Sequence, residues 1–146
     1  MRFFQELGTA VLLVIVTLGL QSAGITALIL WIRRALAGDI HRLGPFRSTG
    51  LVARIAAVVV ALHGLLILLW AGCYRWFCFR SWESAIYFSA CSYTTVGYGD
   101  IVLPNRWRML GPLEGIIGVL MCGVSVSLLF ATVTRLVGRE ARSSHQ

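Results

Sequence analysis

The sequence has no lysine and few acids. Its charged residues are 13 Arg, 4 Glu and 2 Asp, only 13% of 146. A soluble domain of this length usually has about a quarter of its residues charged, so the deficit speaks against a water-soluble globule. An apolar share of 58% excludes a disordered chain. Proline occurs three times, at Pro45, Pro104 and Pro112, and never inside the long apolar runs, so nothing there breaks a helix. His41, His63 and His145 are scattered, and the four cysteines lack metal-site spacing. There is no Gly-rich phosphate loop, no nucleotide fingerprint, no Ser-His-acid set and no carboxylate pair. The chain therefore reads as a non-enzyme with no bound cofactor. It has no internal repeat and no low-complexity tract.

What is present is apolar length. Leu7–Ile32, Ile55–Tyr74 and Gly115–Thr134 are free of charge over 26, 20 and 20 residues. A helix rises about 1.5 Å per residue, so about 20 residues cross a hydrocarbon core of roughly 30 Å. Buried helices of a soluble bundle need polar faces that these lack. The net charge of +7 sits at the ends of the apolar runs, which points to a membrane surface and away from nucleic acid. Arg33, Arg34, Arg42, Arg47 and Arg54 lie between the first two runs, and Arg135, Arg139 and Arg142 follow the third. Short cytoplasmic segments are enriched in basic residues, which places the N-terminus outside and the C-terminus in the cytoplasm. The bias is eight arginines against five. A cleaved leader over Met1–Ala23 is disfavoured because the apolar run continues to Ile32. An all-arginine basic set suggests a GC-rich bacterial source, hence a bacterial inner membrane. The linker from Arg33 to Arg54 reads as a loop with at most one short surface helix, and the tail from Gly138 to Gln146 as frayed.

Between Arg80 and Arg108 the pattern changes. Ser81–Tyr93 is an aromatic, apolar segment with a plausible N-cap in Ser81 and an acid, Glu83, in its first turn. About twelve helical residues are too few to span a bilayer. The segment reads as a re-entrant half-helix leading directly into Thr94-Thr95-Val96-Gly97-Tyr98-Gly99-Asp100. Non-helical backbone at membrane depth is tolerated only inside protein or beside a watery cavity. A Gly-x-Gly run in that position is a candidate pore lining.

Those seven residues resemble the selectivity filter of potassium channels. The order outer helix, pore helix, filter, inner helix resembles that family's pore domain over roughly Leu51 to Leu136. The resemblance implies an all-α membrane protein with three transmembrane helices, a re-entrant pore helix and a filter loop. The chain then divides into an N-terminal helix and linker (1–50), a pore domain (51–137) and a short tail (138–146). It implies a channel conducting K+ passively, with the carbonyls of Thr95, Val96, Gly97 and Tyr98 replacing the ion's water and the Thr95 hydroxyl completing the innermost site. Gly97 and Gly99 supply the backbone angles, while Val96 and the Tyr98 ring turn away from the axis and brace the loop. Thr94, Asp100 and Tyr87 support the filter, with Tyr87 a possible donor to Asp100 and Glu83 another possible neighbour. Some relatives carry an acid behind the filter; here Ala90 and Cys91 stand in that region, which puts such a carboxylate partner in doubt. One motif per chain implies a homotetramer. The implied partners are potassium ions, lipid and three further copies, with no cofactor beyond the transported ion.

Other residues carry weaker expectations. The third run should line the cavity, with Gly123 favoured over Gly118 as a gating hinge. Glu114 is expected at the interface, paired with Arg106 or Arg108. His63 reads as a hydrogen-bonded packing residue before a proton sensor, and Gln21 and Ser22 as bonded to a neighbouring helix. Cys73 and Cys78 form a bridge or stay free; Cys91 and Cys122 are expected buried and unpaired. The segment Arg75–Glu114 carries four Arg against three acids, too little charge for a strong cation funnel. No ladder of arginines suggests a voltage sensor. Two alternatives share these features, a less selective cation channel and a non-conducting membrane partner subunit.

Overall fold

The computed structural model describes residues 2–37 and 45–143 and is helical, with no strand among the described residues. Helix α1 spans Arg2–Ala37, α2 Pro45–Phe77, α3 Trp82–Tyr93 and α4 Leu110–Ser143, with one 3₁₀ turn at Asn105–Trp107 ahead of α4. Three segments, Glu6–Arg34, Thr49–Phe77 and Asn105–Arg135, are long and apolar enough to cross a membrane. Only 22, 17 and 28% of their most apolar windows are buried inside the protein. The remaining apolar surface needs lipid or another chain against it.

Two boundaries differ from the sequence reading. The linker is not a loop from Arg33 to Arg54: α1 continues to Ala37 and α2 already begins at Pro45. Proline suits a first helical position, where its missing N–H is not needed. A single interior glycine such as Gly50 costs about 1 kcal/mol, which a helix of 33 residues tolerates. The tail is likewise helical as far as Ser143. His41 and His145 lie outside the described residues.

Lipid chains are as apolar as leucine, so helices associate in a bilayer through close packing and hydrogen bonds. Both are found here. At the end of the bundle that carries α3, Trp70, Tyr74, Ala85, Trp107 and Leu110 form one buried cluster with Ala10 and Leu13 of α1. At the opposite end Leu28 and Ile32 of α1 meet Ile55 and Val59 of α2. Between them Leu66, Tyr93, Ile117 and Met121 pack together. Helix α1 is fastened by polar contacts as well. The Trp70 indole N–H donates to Thr17 Oγ1 at 3.0 Å. The Met109 N–H donates to the Glu6 carboxylate at 3.0 Å, placing a negative charge at the start of α4, where the helix dipole favours it.

Helices α3 and α4 approach each other closely. A β-carbon on Gly115 would stand 3.2 Å from the Ser92 carbonyl oxygen, and one on Gly118 would collide with the carbonyl of Tyr93. The small residues of α4 are therefore what let it touch the end of α3. Gly123 has nothing within 4 Å of an added β-carbon. Replacing Gly118 with Ala should lower stability by about 1–3 kcal/mol through overpacking against backbone, whereas Gly123→Ala should leave it unchanged or slightly raised. Thermal unfolding of the purified protein in detergent checks the pair.

Candidate functional site

Helix α3 starts on a capped end. Ser81 lies in extended backbone and its Oγ accepts the Ser84 N–H at 3.1 Å, with Glu83 in the first turn. Its 12 residues reach only about 18 Å, so it enters the bundle and stops. The last carbonyls of a helix need partners, and the following loop provides them. Thr94 N–H and Thr94 Oγ1 both donate to Ala90 O, at 3.1 and 2.7 Å. Thr95 N–H donates to Ser92 O at 3.0 Å, and the Val96 and Gly97 amides both reach Cys91 O, at 2.9 and 3.2 Å.

These bonds turn the chain sharply. Gly97 and Gly99 take φ of 54° and 79°, the left-handed region that glycine enters at little cost. Thr95 joins them at φ 61°, which its sequence did not indicate. A β-branched residue there is strained, by about 1–3 kcal/mol, and the bonds to the end of α3 hold it. The loop's far end is tied back to α3, since the Tyr87 hydroxyl donates to Asp100 Oδ2 at 2.8 Å. That hydrogen bond is the main reason the Tyr87 phenol is pushed up to about 12, with desolvation and the Asp100 charge adding to it, so it remains a donor at ordinary pH. Glu83 is exposed and makes no bond to Asp100.

In the single chain the loop faces outward. Val96 is 52% and Tyr98 73% exposed. Beside them an open groove of about 690 Å³ runs between loop and α4, lined among others by Phe88, Ser92, Thr95, Val102, Gly115 and Ile116.

Behind the loop lie polar groups that the sequence reading placed elsewhere or missed. Glu114 pairs with neither Arg106 nor Arg108. It is fully buried, accepting from Tyr74 Oη at 2.8 Å, with Ser89 Oγ 2.5 Å from its other oxygen. Ser89 Oγ also lies 2.8 Å from Ile67 O. Arg106 instead lies over the Trp107 ring, 5.1 Å from its centroid. The reason is dielectric: an acid within a span turns inward to polar partners. His63 does find partners, with Nδ1 2.8 Å from Tyr93 Oη and Nε2 3.0 Å from Ser125 Oγ. Gln21 Nε2 donates to the same Ser125 Oγ at 3.1 Å, while Ser22 is exposed. Cys73 and Cys78 are free thiols. Burial, followed by the nearby Cys73, pushes the Cys78 thiol up to about 12, which keeps it protonated and slow to react. Cys91 is half-buried, and Cys122 is exposed rather than buried. Helix α4 runs unbroken through both Gly118 and Gly123. Among the described residues no cluster of His, Cys, Asp or Glu could hold a metal ion.

Residues 62–135, just over half of the chain, match the model of an ion channel family. The chain belongs to that family. No curated protein and no solved structure matches it. The matched stretch of this ion channel runs from within α2, through α3 and the glycine-bearing loop, to Arg135 near the end of α4. It contains Asp100, Glu114 and His63, and it leaves α1 outside.

The Glu114 trio generates a stability test. Ser89 has one hydroxyl proton and two acceptors in reach, so a glutamine at 114, with its own N–H donors, suits the arrangement. Glu114→Gln should cost less than about 1 kcal/mol. Glu114→Ala leaves Tyr74 Oη unpaired over a cavity and should cost about 2–4 kcal/mol. Unfolding midpoints in detergent distinguish the two.

Proposed function

We propose that four copies of this chain assemble into a potassium-selective channel whose filter is Thr95, Val96, Gly97, Tyr98 and Gly99. The observation that carries this reading is the loop itself: the sequence Thr94–Asp100 with Gly97 and Gly99 in left-handed backbone, set at the end of a half-helix too short to cross the bilayer. A dehydrated cation in a narrow pore needs oxygen ligands, and a ring of backbone carbonyls from Thr95 to Tyr98 provides them. A stretch of non-helical backbone at membrane depth must be enclosed by protein or line water. One protomer leaves it exposed, whereas a fourfold ring encloses one side and gives the other to the ion path. The exposed apolar residues Val96, Tyr98, Val102, Ile116 and Val119 supply the surface that neighbouring copies would cover.

The rest of the protomer fits this assembly. The C-terminal end of α3 carries the partial negative charge of a helix terminus toward the ion path. Tyr87 and Asp100 hold the mouth of the filter against α3. Gly123 is the better hinge of the two glycines, because α3 lies against Gly118 and open space surrounds Gly123. The arginine distribution supports an inner-membrane orientation with the N-terminus outside and the C-terminus in the cytoplasm.

Purified protein in liposomes should carry potassium down its gradient, exclude sodium and be blocked by barium. Gly97→Ala, at a backbone angle that alanine resists, should reduce flux to that of empty vesicles while native mass spectrometry still reports four chains. Equal potassium and sodium flux would make this a less selective cation channel. Absence of flux from an intact tetramer would make it a non-conducting partner subunit.

A further inference from the structure

Helix α1 lies outside the family match, yet two of its polar residues, Thr17 and Gln21, are turned into the protein. Thr17 is fully buried and Gln21 is 2% exposed. Polar side chains in a span are costly unless they meet a partner, and Gln21 meets one that leads onward. Its Nε2 donates to Ser125 Oγ of α4 at 3.1 Å; that oxygen lies 3.0 Å from Nε2 of His63 on α2; and Nδ1 of the same ring lies 2.8 Å from the Tyr93 hydroxyl of α3. Four helices thus contribute one residue each to a continuous chain of hydrogen bonds. A neutral imidazole has one donor and one acceptor nitrogen, and the hydroxyls on either side can serve as either, so the chain closes in both tautomers.

The terminus of this chain is the informative part. Tyr93 is 1% exposed and is the last residue of α3, directly ahead of Thr94 and Thr95. Its carbonyl is fixed against Gly118 and its ring is fixed by His63, with centroids 5.8 Å apart. Gln21 retains an amide oxygen that is buried with no hydrogen-bond partner. A leucine would pack there without that cost, so it is the N–H reaching Ser125 that makes the amide useful.

We propose that α1 is a positioning element for the filter, acting through Gln21, Ser125 and His63 on Tyr93. The hydrogen bonds of these three run to one another and to Tyr93; they set the last turn of α3, from which the loop's amides are hung. The proposal rests on the filter reading above only for its consequence in ion selectivity. The mechanical link to residues 94–99 stands without it.

The test compares two α1 variants in the full-length protein. Gln21→Leu cuts the chain to Tyr93; Thr17→Val removes the bond to Trp70, an equally buried α1 contact that enters the packed cluster around Tyr74 and Ala85 and is not part of the hydrogen-bond chain to Tyr93. Hydrogen exchange of amides 94–99 should speed up about fivefold to tenfold in Gln21→Leu, with a lower potassium-to-sodium flux ratio, and remain at the wild-type rate in Thr17→Val. Ser125→Ala, a small change in a helix, should reproduce Gln21→Leu and serves if that variant assembles poorly. Tyr93→Phe should also speed exchange, and adding Gln21→Leu to it should change nothing further, because residues of one network are not additive. Three results would overturn the inference: wild-type exchange in Gln21→Leu and Ser125→Ala, an equal effect of Thr17→Val, or full additivity of Gln21→Leu with Tyr93→Phe. Faster exchange in a protein that never discriminates potassium would keep the inference and remove the selectivity reading. Unchanged exchange in a selective channel would do the reverse.

Discussion

Between Tyr93 and Asp100 the chain abandons helical hydrogen bonding at the end of a helix whose last carbonyls need partners, and the surrounding structure is organised around replacing what is lost. The end of α3 lends its carbonyls to the amides of Thr94 to Gly97. Tyr87 closes the loop onto its own half-helix. The glycines of α4 bring a second helix into contact with the carbonyls of Ser92 and Tyr93. Thr95 is held at a backbone angle its side chain disfavours, which only dense local bonding sustains.

The same constraint explains where the polar side chains of the spans have gone. Glu114, His63, Gln21 and Thr17 all turn from lipid toward the seam between helices. Each finds a hydroxyl, Tyr74 or Ser89, Tyr93, Ser125, or the Trp70 indole. Helix association in a bilayer lacks the drive that water supplies to soluble cores. These bonds therefore specify which faces meet, and they do so at several depths along the bundle.

Much of this was legible in the residues. Uncharged runs give the spans, because a bilayer imposes length and apolarity together. Ser81 and Glu83 mark the start of α3, since an orphaned helix end needs an acceptor and favours an acid. The glycine pattern marks the loop. Long-range partnership was not legible. Glu114 near two arginines in sequence suggested an ion pair, yet Tyr74 and Ser89, 40 and 25 residues away, reach it instead. Helix ends were also missed, at Pro45 and beyond Gly138, because glycine and polar residues that mark loops in soluble proteins are absorbed by a long helix emerging from a membrane. The left-handed Thr95 was invisible, since threonine carries no signal for that region.

The contact of Gly118 with the Tyr93 carbonyl anchors one part of α4. A bend of about 10° beyond that anchor, at Gly123, would swing Arg135, about 18 Å further along the helix, sideways by about 3 Å while the anchored turns stay nearly still. A wide excursion at one extremity of the bundle is thereby compatible with immobility at the other.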